Sequence, residues 1–511
     1  MLPFVLAVLD YWPLQRFLTA VPLLTLRRAA LEKLPFLSLS FMVGLLTLHT
    51  EHRVGAVSSM ADASLGMRLL NVLVSSGWYL WRTLCPTDLA VFYPYPKTIL
   101  PLSVAGAVVL LTGVGWLAWR WRRTNPCWWV GCFWFALLLL PVNGVVQVGD
   151  HARADRYAYA PLAGLLLALV WTVAEIVARL RLDRKLVIGL AVFAVIFCAG
   201  LARAQLAFWR DSETLFRRAL AVTQNNAPAW HSLGTHLFRM GRTGEAMECF
   251  RQVLLLAPDS PETLVNLGVA LESAGQKDEA AELYRRVTII NPRVWEAFCG
   301  LGMIQTDRGE LVEAIGNLRM AVQLRPDQVE PRINLARALT ASGQGDEALS
   351  QLEAARHIEP DNARVLSDLA AALMGKGEIG KAMELFAQKI QTTPDDVFAH
   401  YNLGVLLAQA GKVDEAMVQF RESIRLQPDN FDAFNNLAVA LASQGKFAEA
   451  LPHLETAVRL RPDYAEARRN LAVALAQLGR RSEAIAQLHE VLRVNPTDVD
   501  SKRRLHELDE E

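Results

Sequence analysis

The sequence predicts an all-α protein in two parts: a polytopic helical membrane half over residues 1–208, followed by an α-solenoid of stacked helix pairs. Three observations predict it. Four apolar stretches, roughly 98–119, 127–148, 157–178 and 186–208, match the length of about 20 residues that a helix needs to cross a bilayer. From residue 225 onward, prolines recur at 258, 292, 326, 360, 394, 428, 462 and 496, a period of 34 without a slip. Composition divides near the same place: residues 1–208 hold 18 Lys+Arg against 9 Asp+Glu and 10 of the 13 Trp, and the remainder holds 34 against 43. A net charge of zero is therefore the sum of a basic, Trp-rich half suited to a lipid–water interface and an acidic half suited to water. No basic stripe on the acidic half argues for nucleic acid.

Along the first half, residues 2–9 are apolar but lack a basic leader and a small-residue cleavage site, so they do not read as a removable signal peptide. A shorter apolar stretch covers 34–49. The stretch 65–84 carries Arg68, Asn71 and Arg82, which suit the interface better than a crossing. Arg120, Arg122 and Arg123 follow the first long span; Arg179, Arg181, Arg184 and Lys185 separate the last two. Both loops are expected in the cytoplasm, because Lys and Arg are retained there. The loop 149–156 and everything after 208 then lie outside it. Six cysteines make no disulfide framework: Cys85, Cys127, Cys132 and Cys198 sit in or beside apolar segments, and Cys249 and Cys299 occupy non-equivalent repeat positions. The spacing of Cys127 and Cys132 inside an apolar run is a poor zinc site, and no metal site is expected.

The loop between the second and third spans crowds Asp150, His151, Arg153, Asp155 and Arg156 together. Asp150, His151, Asp155 and Arg156 form a candidate site for a phosphate-bearing lipid or sugar donor. There Arg156 would grip phosphate in bidentate fashion, and a carboxylate would bond sugar hydroxyls or a metal. The alternative is a solvated turn of Asp–Arg pairs flanked by interfacial tyrosines.

In the second half the period of 34 extends to other columns. Leu233, Leu267, Leu301, Leu335, Leu369, Leu403, Leu437 and Leu471 are each followed by Gly or Ala. A second column is Ala from Ala246 to Ala484, and a third is Gly from Gly241 to Gly479. Gly is expected where one helix stops with positive φ, Leu where it faces its partner, and Ala or Gly where two helices cross too closely for more. Asp follows the proline in six of eight repeats, placed to cap the next helix. The expected order is a connecting orphan helix within 209–224, eight repeats over 225–496, and a charged capping helix over 497–511.

These columns closely resemble the tetratricopeptide repeat: Trp230, Leu233, Gly234, Ala246, Phe250 and Pro258 match its motif. The resemblance implies antiparallel helix pairs stacked into a right-handed superhelix with a concave groove; Lys389 departs from the motif's late Ala. The residue before each column Leu includes Asn266, Asn334, Asp368, Asn402, Asn436 and Asn470, on the helix that lines the groove in this family. Asn both donates and accepts, so a ladder of them can hold an extended peptide backbone. The alternative is that these side chains cap or bridge neighbouring helices.

The segments 86–94 (PTDLAVFYP) and 154–164 (ADRYAYAPLAG), with repeats beyond them, resemble the transmembrane O-mannosyltransferases that carry tetratricopeptide repeats. That resemblance implies a GT-C-type glycosyltransferase using a polyprenyl-phosphate sugar with a divalent cation, its acceptor proteins engaged by the repeats. In that family the catalytic acidic pair lies in the first outer loop. Here Asp10, Glu51 and Asp62 stand apart, and Met1 corresponds to a point midway through the family's membrane domain. The expectation is an anchored scaffold that binds protein or peptide partners outside the cytoplasm without a cofactor. The alternative is a glycosyltransferase or part of one.

Overall fold

The structure, a computed structural model, describes residues 2–12, 14, 22–53, 65–84, 87–91, 93–96, 98–140 and 151–510. The chain divides into two compact units, one up to Leu283 and one from Tyr284.

The first unit opens with α1 (Leu2–Tyr11), α2 (Pro22–Arg53) and α3 (Leu65–Leu84). Asp10 of α1 and Lys33 of α2 form a buried ion pair. Asp10 is thus tied to a cation, whereas Asp62 lies outside the described residues, as does the side chain of Glu51. The stretch 34–49 falls within α2, a 32-residue helix with Pro35 inside it. α3 turns Arg68, Asn71, Ser75 and Tyr79 inward. It packs on α4 (Pro101–Trp121), where a Cβ on Gly77 would stand 2.9 Å from that of Ala107.

Among the described residues, three helices are long and apolar enough to cross a membrane: Pro101–Trp121, Tyr159–Leu180 and Arg184–Trp209. They correspond to three of the four expected spans. Of the fourth, 127–148, the described part is α5 (Pro126–Leu139), 14 residues long and, at about 1.5 Å per residue, ~21 Å; residues 141–150 lie outside the described residues. α5 packs tightly on α6 (Tyr159–Leu180): a Cβ on Gly131 would meet the Gly164 carbonyl oxygen at 2.6 Å. α7 (Arg184–Leu206) buries none of its residues.

α8 (Ser212–Val222) follows with Asp211 as its cap, whose carboxylate accepts from the Thr214 amide at 2.8 Å. The repeats begin with α9 (Ala227–Arg239), α10 (Thr243–Leu256), α11 (Pro261–Ser273) and α12 (Lys277–Ile290). In the second unit they continue from α13 (Trp295–Arg308) through α24 (Arg481–Val494) to a terminal α25 (Val499–Glu510). Each helix there packs on the one before and after, and some first helices also touch the next first helix.

The sequence columns have the expected physical roles. All eight column glycines have φ between 74° and 79°, the left-handed region that ends a helix without a Cβ penalty. The Ala column and the Leu column are buried throughout. Gly234 and Gly404 mark crossings where an added Cβ would stand 2.8 and 2.7 Å from the rings of Phe250 and Phe420. The capping expectation shifts by one residue. The side chains that cap first helices are Asn362, Asp396 and Asn430, two positions after the proline, and Asn226 in the first repeat. The Asp directly after proline instead binds neighbouring side chains: Asp327 accepts from Arg325 at 3.1 Å and Asp361 from Gln388 at 2.9 Å.

Candidate functional site

Two places collect the polar chemistry. The first lies in the first unit, between the apolar helices and the first repeats. β1 (Tyr93–Pro94) pairs antiparallel with β2 (His151–Arg153), joining two loops that are 57 positions apart at the Pro94–His151 pair. The Tyr79 hydroxyl locks the second strand in place: it accepts from the Ala154 amide at 3.2 Å and donates to the Ala154 carbonyl at 3.1 Å. Arg153 lies over the rings of Trp78 and Tyr93, 5.2 and 5.9 Å from their centroids, and the two rings meet edge to face. Such cation–π contacts help to hold a guanidinium in place.

Of the predicted donor residues, His151 lies on β2, while Asp155 and Arg156 fall in a 3-10 turn, Asp155–Ala158, that leads into α6. Their backbone therefore shares this platform. Asp150 lies outside the described residues, as do the side chains of the other three. Arg153 and Arg82, which hold the platform's aromatic centre, were not singled out as site residues from the sequence. Among the described residues, no group of three His, Cys, Asp or Glu side chains stands where it could hold a metal ion.

The platform also receives the start of the repeats. Tyr93 and Ala90 form one buried cluster with Ala219 of α8 and Ala229 of α9, and Trp78, Leu220 and Val222 pack against it. The Tyr93 hydroxyl accepts from the Ala90 amide at 2.9 Å and donates to the Asp88 carbonyl, which shapes the loop for this contact. Arg218 reaches Asp88 at 3.5 Å. α8 thus packs against loop residues Ala90 and Tyr93 as well as against α9.

The second place is the face of the first helices. The predicted Asn column forms a ladder of bridges between neighbouring repeats. Asn266 meets His231 at 3.3 Å, Asn334 donates to Cys299 Sγ at 3.3 Å, Asn436 to the Tyr401 hydroxyl at 3.1 Å and Asn470 to Asn435 at 2.9 Å. Each partner stands 35 positions earlier, one repeat plus one residue. For Asn402 that position is Ser367, whose hydroxyl takes the Lys389 ammonium, and Asn402 bonds its own helix at the Phe398 carbonyl, 2.8 Å. Asn334 is 2% exposed, so solvent barely reaches it, whereas Asn402, Asn436 and Asn470 are half-buried. Asp368 is half-buried too; burial pushes its carboxyl above the ordinary value, with Arg364, Lys389 and Arg337 opposing.

These paired helices, the left-handed glycines and the Leu and Ala columns define an α-solenoid of helix hairpins. Comparison with known families agrees. Sequence profiles described as tetratricopeptide repeat match residues 305–373, 339–404 and 441–504, and another matches 274–329. A TPR repeat profile matches 406–445, and that of the cilia and flagella-associated protein 70 middle TPR-like domain matches 206–289. The chain therefore carries tetratricopeptide repeats. Among solved structures it is similar to YrrB, a TPR protein with an unusual peptide-binding site, at 22% identity over 37% of this chain and 96% of that one, TM-score 0.34. It is also similar to PilF of Pseudomonas aeruginosa, at 20% identity over 42% and 97%, TM-score 0.38. The APC/C hetero-tetramer Cut9–Hcn1 gives 17% identity over 56% of each chain, TM-score 0.38. No curated protein matches the chain.

Proposed function

We propose that this protein is a membrane-anchored scaffold that presents its tetratricopeptide repeats outside the cytoplasm and holds a segment of a partner protein along their first helices. The observation that carries the reading is the ladder of half-buried amides at Asn402, Asn436 and Asn470, in register on successive first helices. The anchor rests on the apolar helices. Phe193, Val195, Ile196 and Phe197 of α7 are each more than half exposed, a surface that suits lipid rather than water. The basic loops after α4 and before α7 supply the orientation.

The test uses the full chain in detergent and a display library of unstructured peptides. Asn402→Ala, Asn436→Ala and Asn470→Ala combined remove three amides, each worth about 0.5–1.5 kcal/mol. Selected peptides should bind at least about tenfold more weakly, with the helical content unchanged. Unaltered affinity would sink the proposal.

A second reading is a glycosyltransferase, or part of one, with a polyprenyl-phosphate sugar as donor. It is favoured by the pairing of Tyr93–Pro94 with His151–Arg153, which brings the end of the 86–94 segment beside the strand that precedes 154–164. If Asp155→Ala and Arg156→Ala change neither donor binding nor protein glycosylation, the loop is only a turn.

A further inference from the structure

A cleft of about 300 Å³ lies between the C-terminal ends of α3 and α7 and the N-terminal end of α6. Tyr79, Leu162 and Leu166 supply apolar lining, together with Arg82, Gln205 and Trp209. We propose that this cleft holds the headgroup of an anionic phospholipid, with Arg82 on the phosphate and an acyl chain laid along α6. The inference rests on the membrane placement proposed above.

Three observations carry it. The first is charge. Among the described residues, no carboxylate lines the cleft and Arg82 has no ion pair. Its Nη1 donates to the Thr87 carbonyl and, at 2.7 Å, to the Thr87 hydroxyl, which aims the guanidinium; its Nε is buried and has no partner among the described residues. A guanidinium with a spare donor in an apolar cleft is complementary to phosphate, which accepts more than one hydrogen bond from its planar fork. The second is shape. The volume is at the lower end of the roughly 300–1,000 Å³ of small-molecule sites, enough for a headgroup and the start of a chain. Leu162, Leu166, Leu169 and Val173 continue away from the cleft at helical spacing on one face of α6, and the last three are each about half exposed. That stripe gives a hydrocarbon chain its path. The third is position. Trp78, in the last two turns of α3, and Trp209, at the end of its helix, flank the cleft, and indoles favour the headgroup level.

The test titrates the delipidated full chain with phosphatidylglycerol, phosphatidylcholine of the same chains, and polyprenyl phosphate, read by native mass spectrometry. Wild type should retain one phosphatidylglycerol with at least about tenfold preference over phosphatidylcholine. Arg82→Gln should abolish that preference. Gln205→Trp, which fills the cleft from a half-buried position and leaves Arg82 in place, should weaken phosphatidylglycerol by at least about tenfold. It decides the matter if Arg82→Gln fails to fold. Equal retention of the two phospholipids by wild type overturns the proposal, as does unchanged retention in both variants. Polyprenyl phosphate bound at least about tenfold more tightly than phosphatidylglycerol also overturns it, in favour of a donor site. Peptide capture by the repeats is read separately, so failure here leaves the scaffold proposal standing.

Discussion

Asp396→Asn should destabilise the array more than Lys389→Ala, although the lysine change deletes more atoms. Lys389 occupies a buried column that holds Ala at 321, 355 and 457. It lies on α18 (Ile379–Thr392), and its Nζ stands 2.7 Å from Asp396 Oδ2, just before α19 (Val397–Gln409). It also donates to the Ser367 hydroxyl. The other carboxylate oxygen of Asp396 accepts from the Ala399 amide at 2.7 Å as a helix cap. Asn caps as well as Asp does, so Asp396→Asn keeps the cap through Oδ1 but removes the charge and the oxygen that faces Lys389, leaving a buried ammonium without its counter-charge, at about 3–5 kcal/mol. Lys389→Ala installs the column's own residue and leaves Asp396, whose side chain is 19% exposed, capping its helix. Its effect should lie within about 1 kcal/mol of zero or be stabilising.

Acid adds a second signature. Burial pushes the Asp396 carboxyl up, but the Lys389 ammonium and the Ala399 amide outweigh it, so its pKa falls below the ordinary value. A depressed folded pKa contributes stability above the unfolded value of about 3.9, and that stability is lost as pH falls through the folded pKa. This acid loss should vanish in Asp396→Asn. Hydrogen exchange on the full chain, followed at α18 and α19, reads the effect locally, because a solenoid's stability is a sum over repeats and their neighbours. Faster or equal exchange in Lys389→Ala compared with Asp396→Asn would refute the reasoning.

Other substitutions probe the rest of the fold. Ala416→Leu overpacks a position with no exposed surface and should cost about 1–3 kcal/mol, seen as a lower thermal midpoint. Gly411 and Gly316 should respond with opposite signs to Ala. Gly411 has φ 78° and loses about 1 kcal/mol or more, while Gly316 sits in open space within Leu311–Leu324 and gains about 0.5–1 kcal/mol. Tyr93→Ala should raise hydrogen exchange across α8 while leaving α19 unchanged; an unaltered α8 would exclude docking on the loop.

The repeats were legible in the sequence because each column has a local cause that recurs every 34 residues. The glycine φ values and the buried Ala column required no long-range information. The cap was misplaced by one residue because Asp is a good cap in either position, and only the backbone shows that the proline leaves two residues before the helix begins. The Asn column was placed on the correct helix, but its partners His231, Cys299, Tyr401 and Asn435 depend on how far successive repeats are rotated. The docking of Tyr93 on Ala219 joins residues 126 positions apart, which no local pattern announces.

A scaffold that captures partners outside the cytoplasm requires the repeats to lie on that side of the membrane. Val499, at the start of α25, is 75% exposed and suited to labelling. A Val499→Cys variant, with the six native cysteines replaced, can be treated with a membrane-impermeant maleimide in intact cells. Labelling before lysis is predicted, with Arg122→Cys on the opposite side labelled only after it. Labelling of Val499→Cys only after lysis would contradict the account.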